Sequence, residues 1–235
     1  MIEILYNDNN IVFCVKPAGI SSETDLPKAL GEQLGCDIYT LHRLDNPVGG
    51  VMVYAKTKEA AAKFSRKIAD NTDFEKTYLA VCEGELDAPA GEMQDLLFKD
   101  SSRNKSFVVK KERKGVKKAS LSYRVVATAE YKGRVCSLVE ITLHTGRSHQ
   151  IRVQFASRKH PLLGDGKYGS KVNCPIALFS HRIQTDGKSF CKNPPLEAPW
   201  SAFEGVILNR KGASYEDAQQ KTEHIKNCVN KELGL

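Results

Sequence analysis

Two short polar segments contain the residues that are chemically able to act on a substrate. Residues 42–45 read His-Arg-Leu-Asp and are followed by the turn-forming sequence Asn-Pro-Val-Gly-Gly at 46–50. Residues 145–152 read Thr-Gly-Arg-Ser-His-Gln-Ile-Arg and directly follow a strand-like run. An aspartate held beside a turn is presented to a substrate, so Asp45 is a candidate for chemistry. The structural alternative for Asp45 is an Asx turn that begins at Asn46.

Several common kinds of site lack their motifs in this sequence. There is no Gly-x-Gly-x-x-Gly, P-loop, His-Glu-x-x-His or Gly-x-Ser-x-Gly pattern, so nucleotide cofactors, phosphoryl transfer and the common hydrolases have no support. Neither the seven cysteines nor the histidines show the paired spacing of metal ligands, so no metal is expected. The odd number of cysteines, and a sequence without a readable export signal or membrane span, predict reduced thiols in the cytoplasm.

The positive charge is concentrated in one segment of the chain. The sequence has 35 Lys and Arg against 28 Asp and Glu, a net charge of +7. Segment 99–118 holds nine bases and two acids, a difference equal to the surplus of the whole chain. Such a cluster predicts contact with a polyanion such as RNA, although a strand edge guarded by lysines has the same composition. The candidate RNA contacts are Lys110, Lys111, Arg113 and Lys114.

Strand-like runs outnumber helices and are not regularly separated by crossover helices. The predicted strands are 11–16, 50–56, 77–82, 120–127, 135–144 and 176–184, and the fifth alternates from Val135 to Leu143. The predicted helices are 25–34, a segment capped by Thr57 and a C-terminal segment that begins at Ser214. This pattern favours an α+β fold with a mixed, mostly antiparallel sheet. We expect a single domain over residues 1–235, with a helical extension at 201–235.

The order of these motifs resembles that of RNA pseudouridine synthases of the RluA type. The signature His-Arg-Leu-Asp of that family is matched at 42–45, and its Thr-Gly-Arg-x-His-Gln-Ile-Arg at 145–152. Further matches are Lys-Pro-Ala-Gly at 16–19, Lys-Thr-Tyr at 76–78, Lys-Ala-Ser-Leu-Ser-Tyr at 118–123 and His-Pro-x-x-Gly-Asp-x-x-Tyr-Gly at 160–169. The resemblance extends over about residues 11–200. It implies the pseudouridine synthase fold without a separate N-terminal RNA-binding domain.

The resemblance implies that uridine is isomerised to pseudouridine in structured ribosomal or transfer RNA. The base leaves the ribose through N1 and rejoins it through C5, so the reaction needs no cofactor, metal or energy source. By resemblance, Asp45 is the catalytic carboxylate, Tyr78 stacks on the uracil, and Arg147 keeps Asp45 charged. Arg43 takes the place of the extruded base, and Arg152 has a phosphate-binding or loop-building role.

The chain departs from the family pattern beside Asp45, where Val and Gly at 48–49 replace the usual Thr and Ser. The alternative to an enzyme is therefore an RNA-binding or RNA-folding protein without catalytic activity on the same scaffold. The set of Asp45, Tyr78 and Arg147 favours the enzyme, because a pure binder has no chemical need for it. We expect the Asp45 carboxylate within about 4 Å of the Arg147 guanidinium. Tyr78 should line the same cleft, segment 99–118 should form an exposed hairpin or loop beside it, and the protein should be a monomer.

Overall fold

The computed structural model describes residues 1–70 and 72–209. Within these residues, eleven strands belong to one sheet. The strands are β1 (Glu3–Asn7), β2 (Ile11–Lys16), β3 (Tyr39–Thr40), β4 (Gly49–Ala55), β5 (Phe74–Glu83), β6 (Ala90–Asp100), β7 (Lys105–Val109), β8 (Val116–Tyr131), β9 (Arg134–Leu143), β10 (Leu178–Thr185) and β11 (Lys188–Cys191). The helices are α1 (Asp25–Leu34), α2 (Lys58–Asp70), α3 (Gln150–Ser157) and α4 (Glu204–Asn209), with short 3-10 turns at Gly166–Tyr168 and Trp200–Phe203.

The sheet is mixed and mostly antiparallel, so the predicted α+β class is confirmed. Its strand order is β1-β2-β4-β10-β5-β9-β8-β6-β7, with β3 beside β4 and β11 beside β10. Among the described strands, only β4 and β10 pair in parallel. The backbones of this pair approach each other so closely that only glycine fits at position 50, since a Cβ there would lie 2.3 Å from the Ser180 carbonyl oxygen. Gly50 also has φ of 124°, which only glycine adopts without strain.

The centre of the sheet is buried on both faces. One apolar cluster contains Leu26 of α1, Phe155 of α3 and the even-numbered residues 78, 80 and 82 of β5. A second cluster contains Trp200, Phe203 and the odd-numbered residues 79 and 81 of β5, so it covers the opposite face. Because both faces are covered, β9 is buried without alternation over 136–139. The sequence predicted that every second residue from Val135 to Leu143 faces the core. That prediction is wrong for Val135, which is 51% exposed.

The predicted elements agree with the observed ones where an apolar pattern was present. Strand 11–16 and helix 25–34 have the predicted bounds, and Thr57 Oγ1 caps α2 by accepting from the Ala60 N–H at 3.1 Å. Strands β1, β3, β6, β7 and β11 and helix α3 were not predicted; β6, for example, interleaves charged and apolar residues without a regular period. The helix expected from Ser214 lies outside the described residues. No helix in the described part of the chain combines the length and apolar character needed to cross a membrane.

Candidate active site

Asp45 lies between β3 and β4 in a loop that a buried lysine holds in place. The ammonium of Lys16, at the end of β2, donates hydrogen bonds to the backbone oxygens of residues 17, 46 and 48 at 2.9, 3.1 and 2.8 Å. The Val48 N–H donates to the Asp45 carbonyl oxygen at 2.9 Å. Burial lowers the pKa of Lys16 to about 8, although the negative charges of Asp45 and Asp25 act in the opposite direction and raise it. The loop is therefore fixed by backbone contacts, which do not require hydroxyl side chains at positions 48 and 49.

Arg152, in the first turn of α3, is the partner of the Asp45 carboxylate. Its Nη1 lies 2.9 Å from Oδ2 of Asp45, while its Nε and Nη2 each lie 2.7 Å from an oxygen of Asp165. The side chains of Arg152 and Asp165 are 6% and 1% exposed, and that of Asp45 is 25% exposed. Burial alone would lower the pKa of Arg152, but the hydrogen bonds and charges of the two carboxylates raise it.

The two oxygens of Asp45 have different surroundings. Oδ2 contacts Arg152 at 2.9 Å and lies 3.7 Å from Nε2 of His149. Within the described part of the chain, Oδ1 has no hydrogen-bond partner. The carboxylate is thus anchored through one oxygen, and the other is available to a substrate.

The prediction that Arg147 pairs with Asp45 is wrong, because the arginine that pairs with Asp45 is Arg152. Arg147 is exposed, and its Nε donates to the Lys118 carbonyl oxygen at 2.9 Å. It lies in the loop before α3, whereas Arg152 lies five residues further on, inside the helix and facing buried groups. Arg147 does line the cavity that contains Asp45, so the structure brings the two residues to one site without pairing them.

Tyr78 lines the same cavity as Asp45, as expected. It belongs to the central strand β5 and is 5% exposed. Burial raises the pKa of its hydroxyl, a hydrogen bond with Ser180 lowers it, and the charge of Asp45 raises it further. The hydroxyl therefore stays protonated near neutral pH. The Tyr78 ring is a flat apolar surface on which another aromatic ring, such as a nucleobase, can stack.

The two residues that precede Asp45 in its motif have opposite environments. His42 is buried and accepts a hydrogen bond from the Val53 N–H at 3.3 Å. Burial, and then the charge of Lys76, lower the pKa of His42 to about 3, so its ring is neutral. Arg43, in contrast, is exposed and pairs with Glu23 at 3.1 Å. An exposed ion pair contributes little to stability, so Arg43 can leave Glu23 for another anionic group at small cost.

An open cavity of about 890 Å³ joins these residues, and most of the charged side chains in its lining are basic. The basic groups in the lining are Arg43, Lys76, Lys99, Arg147, Arg152 and Lys167. The carboxylates there are Glu23 and Asp45. A cavity with this charge balance attracts a polyanion while it keeps one reactive carboxylate accessible.

The basic segment forms a hairpin, as expected, and lies beside the cavity. Strands β6 and β7 pair through the turn at 101–104, and an exposed loop at 110–115 leads into β8. The four candidate RNA contacts at 110, 111, 113 and 114 belong to this loop and do not line the cavity. The loop is next to the rim, because Lys118 at the start of β8 contacts both Glu112 and Arg147.

Other nucleophiles and metal ligands are poorly placed in the described residues. The thiols of Cys14 and Cys82 are buried, and burial raises the pKa of each to about 12. A thiol with so high a pKa supplies almost no thiolate near neutral pH. Over residues 1–70 and 72–209, no group of three or more His, Cys, Asp or Glu side chains is placed to hold a metal ion. The cavity does contain carboxylates, those of Asp45 and Glu23.

Comparison with known proteins identifies the family. A sequence profile described as RNA pseudouridylate synthase matches residues 10–157, more than half of the chain. The chain is also 33% identical over 197 residues to an uncharacterized RNA pseudouridine synthase of Bacillus subtilis. That match covers 78% of this chain and 63% of the length of the Bacillus protein. The chain belongs to the RNA pseudouridylate synthase family. Its members are isomerases, and the RluA-type resemblance is confirmed.

Relatives named for a tRNA substrate show a similar level of identity. The tRNA pseudouridine synthase C of Vibrio cholerae is 31% identical, over 74% of this chain and 76% of that protein. The corresponding protein of Pasteurella multocida is 32% identical, over 77% of this chain and 79% of that protein. Among solved structures, human RNA pseudouridylate synthase domain containing 1 superposes with a TM-score of 0.73 and 21% identity, covering 85% of this chain and 86% of the human one. At that identity, the likeness establishes the fold.

This pseudouridine synthase family member has site residues to which the sequence reasoning gave no role. Lys16, Asp165 and Tyr168 all lie in segments that match family motifs, at 16–19 and 160–169. For two of them a signal was present in the sequence. Lys16 ends a run of five apolar residues, and Asp165 lies between two glycines, so each is a charged group where the chain is otherwise apolar or tightly turned.

Proposed function

We propose that this protein isomerises uridine to pseudouridine within structured RNA and that Asp45 is the catalytic carboxylate. One observation carries the proposal: Asp45 lines an open cavity with an excess of basic groups and is held through Oδ2 by the buried Arg152, while its Oδ1 has no partner among the described residues. Arg152 donates a charge-assisted hydrogen bond to Oδ2, which fixes the orientation of the carboxylate and leaves Oδ1 to act as the nucleophile. A protein that only binds RNA gains nothing from an anionic group at the centre of a basic cavity.

The proposed reaction needs only groups that the cavity supplies. Oδ1 of Asp45 attacks C1′ of the ribose, the C1′–N1 bond breaks, and uracil leaves as its anion. After the base turns, its C5 forms a bond to C1′, the bond between Asp45 and C1′ breaks, and the carboxylate is restored. The restored Asp45 carboxylate accepts the C5 proton and N1 takes up a proton in its place, which completes an isomerisation in which nothing is oxidised or reduced.

Tyr78 and Arg43 support this proposal in different ways. The buried Tyr78 ring offers a surface on which uracil can stack while its bond to the ribose breaks and re-forms. Because the pKa of Tyr78 is raised, its hydroxyl serves as a hydrogen-bond donor more readily than as a base. Arg43 is exposed in the cavity lining and, among the residues that the structure describes, pairs with Glu23 alone, so it is available to fill the gap left by an extruded nucleotide.

A transfer RNA is the proposed substrate class, ahead of ribosomal RNA. The support is the group of relatives named tRNA pseudouridine synthase C, each about a third identical to this chain. The cavity itself favours an extruded nucleotide of a structured RNA, because the reacting atoms of a stacked base cannot reach Asp45.

The decisive experiment has two stages. Pseudouridine is first mapped across total RNA from cells with and without the gene, and each lost site is then rebuilt in vitro with purified protein and no added cofactor. We expect wild-type protein to modify the same uridine in a transcript and Asp45→Asn to leave it unmodified. If wild-type protein binds the transcript but forms no pseudouridine, the protein is instead an RNA-binding or RNA-folding factor.

A further inference from the structure

His149 and Tyr168 form a pair directly beside Asp45. Nδ1 of His149 lies 2.9 Å from the Tyr168 hydroxyl oxygen, and the two rings are almost perpendicular, at 89°. The same hydroxyl oxygen lies 2.8 Å from the backbone nitrogen of Ser106 on β7. The other ring nitrogen of His149, Nε2, lies 3.7 Å from Oδ2 of Asp45.

The hydrogen bonds of Tyr168 indicate which ring nitrogen of His149 carries the proton. A backbone N–H is always a donor, so the Tyr168 oxygen accepts from Ser106. Among the described residues, Nδ1 of His149 is the one acceptor within reach of the Tyr168 hydroxyl hydrogen, so the hydroxyl donates to Nδ1. The opposite tautomer would leave this hydrogen without an acceptor there and would turn the Nε2 lone pair toward the Asp45 carboxylate. A neutral imidazole whose Nδ1 accepts must carry its proton on Nε2. The N–H of His149 is therefore aimed at the Asp45 carboxylate.

The surroundings of His149 keep the ring in this neutral form. Its side chain is 8% exposed, and burial lowers its pKa. The charged groups that face it are Asp45, Asp165, Arg152 and Lys167, and the two carboxylates are offset by the two cations. His149 has φ of 53°, a left-handed conformation that a non-glycine residue adopts at some cost. The chain therefore keeps a strained residue at the point where its ring reaches Asp45.

We infer that Tyr168 and His149 act as positioning residues that hold Oδ2 of Asp45 during the reaction. The Nε2–H gives Oδ2 a second donor beside Arg152, so that Oδ1 remains the oxygen that meets the ribose. At 3.7 Å the contact is just longer than a hydrogen bond, and such contacts tighten when the substrate binds. This inference rests on the proposed function, because it concerns the same carboxylate in the same reaction.

Tyr168→Phe is the sharpest test, because it removes one hydroxyl and keeps the ring. The ring also packs against two cations, with the Arg152 guanidinium 5.2 Å and the Lys105 ammonium 5.0 Å from its centre. Phenylalanine preserves that packing and removes two hydrogen bonds, one from the Ser106 N–H and one to His149. The tautomer of His149 is therefore the measurement that reports the second bond alone. Tyr123→Phe is the matched control, since Tyr123 packs on Phe155 and does not line the cavity.

We expect Tyr168→Phe to lower kcat about tenfold, the worth of roughly one hydrogen bond, with KM nearly unchanged. Without the donor at Nδ1, protonation of His149 becomes easier, so the acidic limb of the pH profile should move to higher pH. The ¹⁵N shifts of the His149 ring should change from the Nε2–H tautomer of the wild type to a mixture. Tyr123→Phe should leave kcat, the pH profile and the ¹⁵N shifts of the His149 ring unchanged.

A second pair of variants checks the role of the donor itself. His149→Gln keeps an N–H group near Asp45, whereas His149→Ala removes it, so the Gln variant should be the more active. Equal loss in both, or a Tyr168→Phe protein with wild-type kcat, pH profile and tautomer, would overturn the inference. If wild-type protein forms no pseudouridine, the proposed function fails separately, and the ring ¹⁵N shifts alone still decide whether His149 presents its N–H to Asp45.

Discussion

The buried carboxylate of Asp165 receives two of the three hydrogen bonds that Arg152 makes to carboxylates, each 2.7 Å long. Asp45 receives the third, at 2.9 Å. Because a two-point contact fixes the plane of a guanidinium, Asp165 orients Arg152 whether or not RNA is bound. Asp45 is then held at a single oxygen by a partner that is already in place. Asp165 therefore contributes to the arrangement that holds Asp45, although it does not line the cavity.

Asp165→Asn should impair both stability and turnover. The change keeps the size of the side chain but removes a buried charge, so Arg152 loses its two-point partner and retains only Asp45. Removing one partner of a buried ion pair costs about 3 kcal/mol or more, measured here as the free energy of unfolding in urea. Turnover should fall as well, because Arg152 no longer holds Asp45 in one orientation.

The control for this variant is an exposed ion pair that undergoes the same chemical change. Lys192 and Glu3 pair at 2.7 Å with both side chains about half exposed. Glu3→Gln should change the free energy of unfolding by less than about 1 kcal/mol and leave turnover intact. Similar losses in the two variants would show that Arg152 does not depend on Asp165.

Asp45→Asn should abolish pseudouridine formation while RNA affinity changes little. The amide is close in size to the carboxylate but cannot act as the nucleophile, so the chemical step is lost and the binding surface remains. Turnover is measured by tritium release or by mapping of the product, and affinity by filter binding. Asp87→Asn, at an exposed position outside the cavity, is the control. Residual turnover near the wild-type rate would remove Asp45 from the mechanism.

Lys16→Met should destabilise the protein and change the pH dependence of its stability. Three backbone oxygens lose their donor, which costs about 1–3 kcal/mol near pH 7. The pKa of Lys16 is lowered in the folded protein to about 8, so above that pH the unfolded chain binds the extra proton. Stability attributable to Lys16 therefore rises with pH from about 8 up to its unfolded pKa of about 10.4.

Urea unfolding of wild type and Lys16→Met at several pH values measures this effect as a difference. The difference in free energy of unfolding should grow between pH 8 and pH 10 and stay constant below pH 7. Lys56→Met is the control, because the Lys56 ammonium also donates to a backbone oxygen, that of Asp8 at 2.6 Å. A difference that is flat across this range would mean that Lys16 is not desolvated in the folded protein.

Patterns of apolar residues were sufficient to predict the strands of the sheet centre, but not the arginine that pairs with Asp45. Strand 11–16 has a continuous apolar run, and helix 25–34 ends at Gly35, which adopts the left-handed conformation expected of a C-cap. Helix α3 offered no such signal. All six of its residues from Gln150 to Phe155 are buried, including Arg152, so the helix has no polar face to create a period.

The partner of Asp45 was therefore ambiguous in the sequence. Arg147 and Arg152 occur in one motif five residues apart, and only the start of α3 at Gln150 decides which of them faces Asp45. The pairing of Asp165 with Arg152 could not be predicted from the sequence either. The segment between the two residues contains a turn and has no periodic pattern that would indicate which side chains meet. Long-range pairing of charges depends on the three-dimensional fold, and local spacing does not encode it.

The last prediction concerns the exposed loop at 110–115, which leads from the edge strand β7 to Lys118 on the cavity rim. RNA that reaches from Asp45 past Arg147 would pass this loop. Each base that neutralises a phosphate of a single strand adds about 0.7 to the slope of log affinity against log salt. Replacing Lys110, Lys111, Arg113 and Lys114 with Ala should therefore flatten that slope by up to about 3. The rate at saturating RNA should barely change, because these residues lie outside the cavity.

A charge-matched control separates contact with RNA from a general effect of net charge. The far ends of β8 and β9, near the contact between Arg134 and Glu83, lie about 30 Å along the strands from the cavity. The control variant replaces Lys132, Arg134, Lys159 and Lys171 with Ala. Long-range attraction weakens beyond about 8–10 Å at physiological salt, so this variant should keep the wild-type slope. If both variants flatten the slope equally, or if neither does, the loop makes no specific contact with phosphate and its lysines only protect the edge of the sheet.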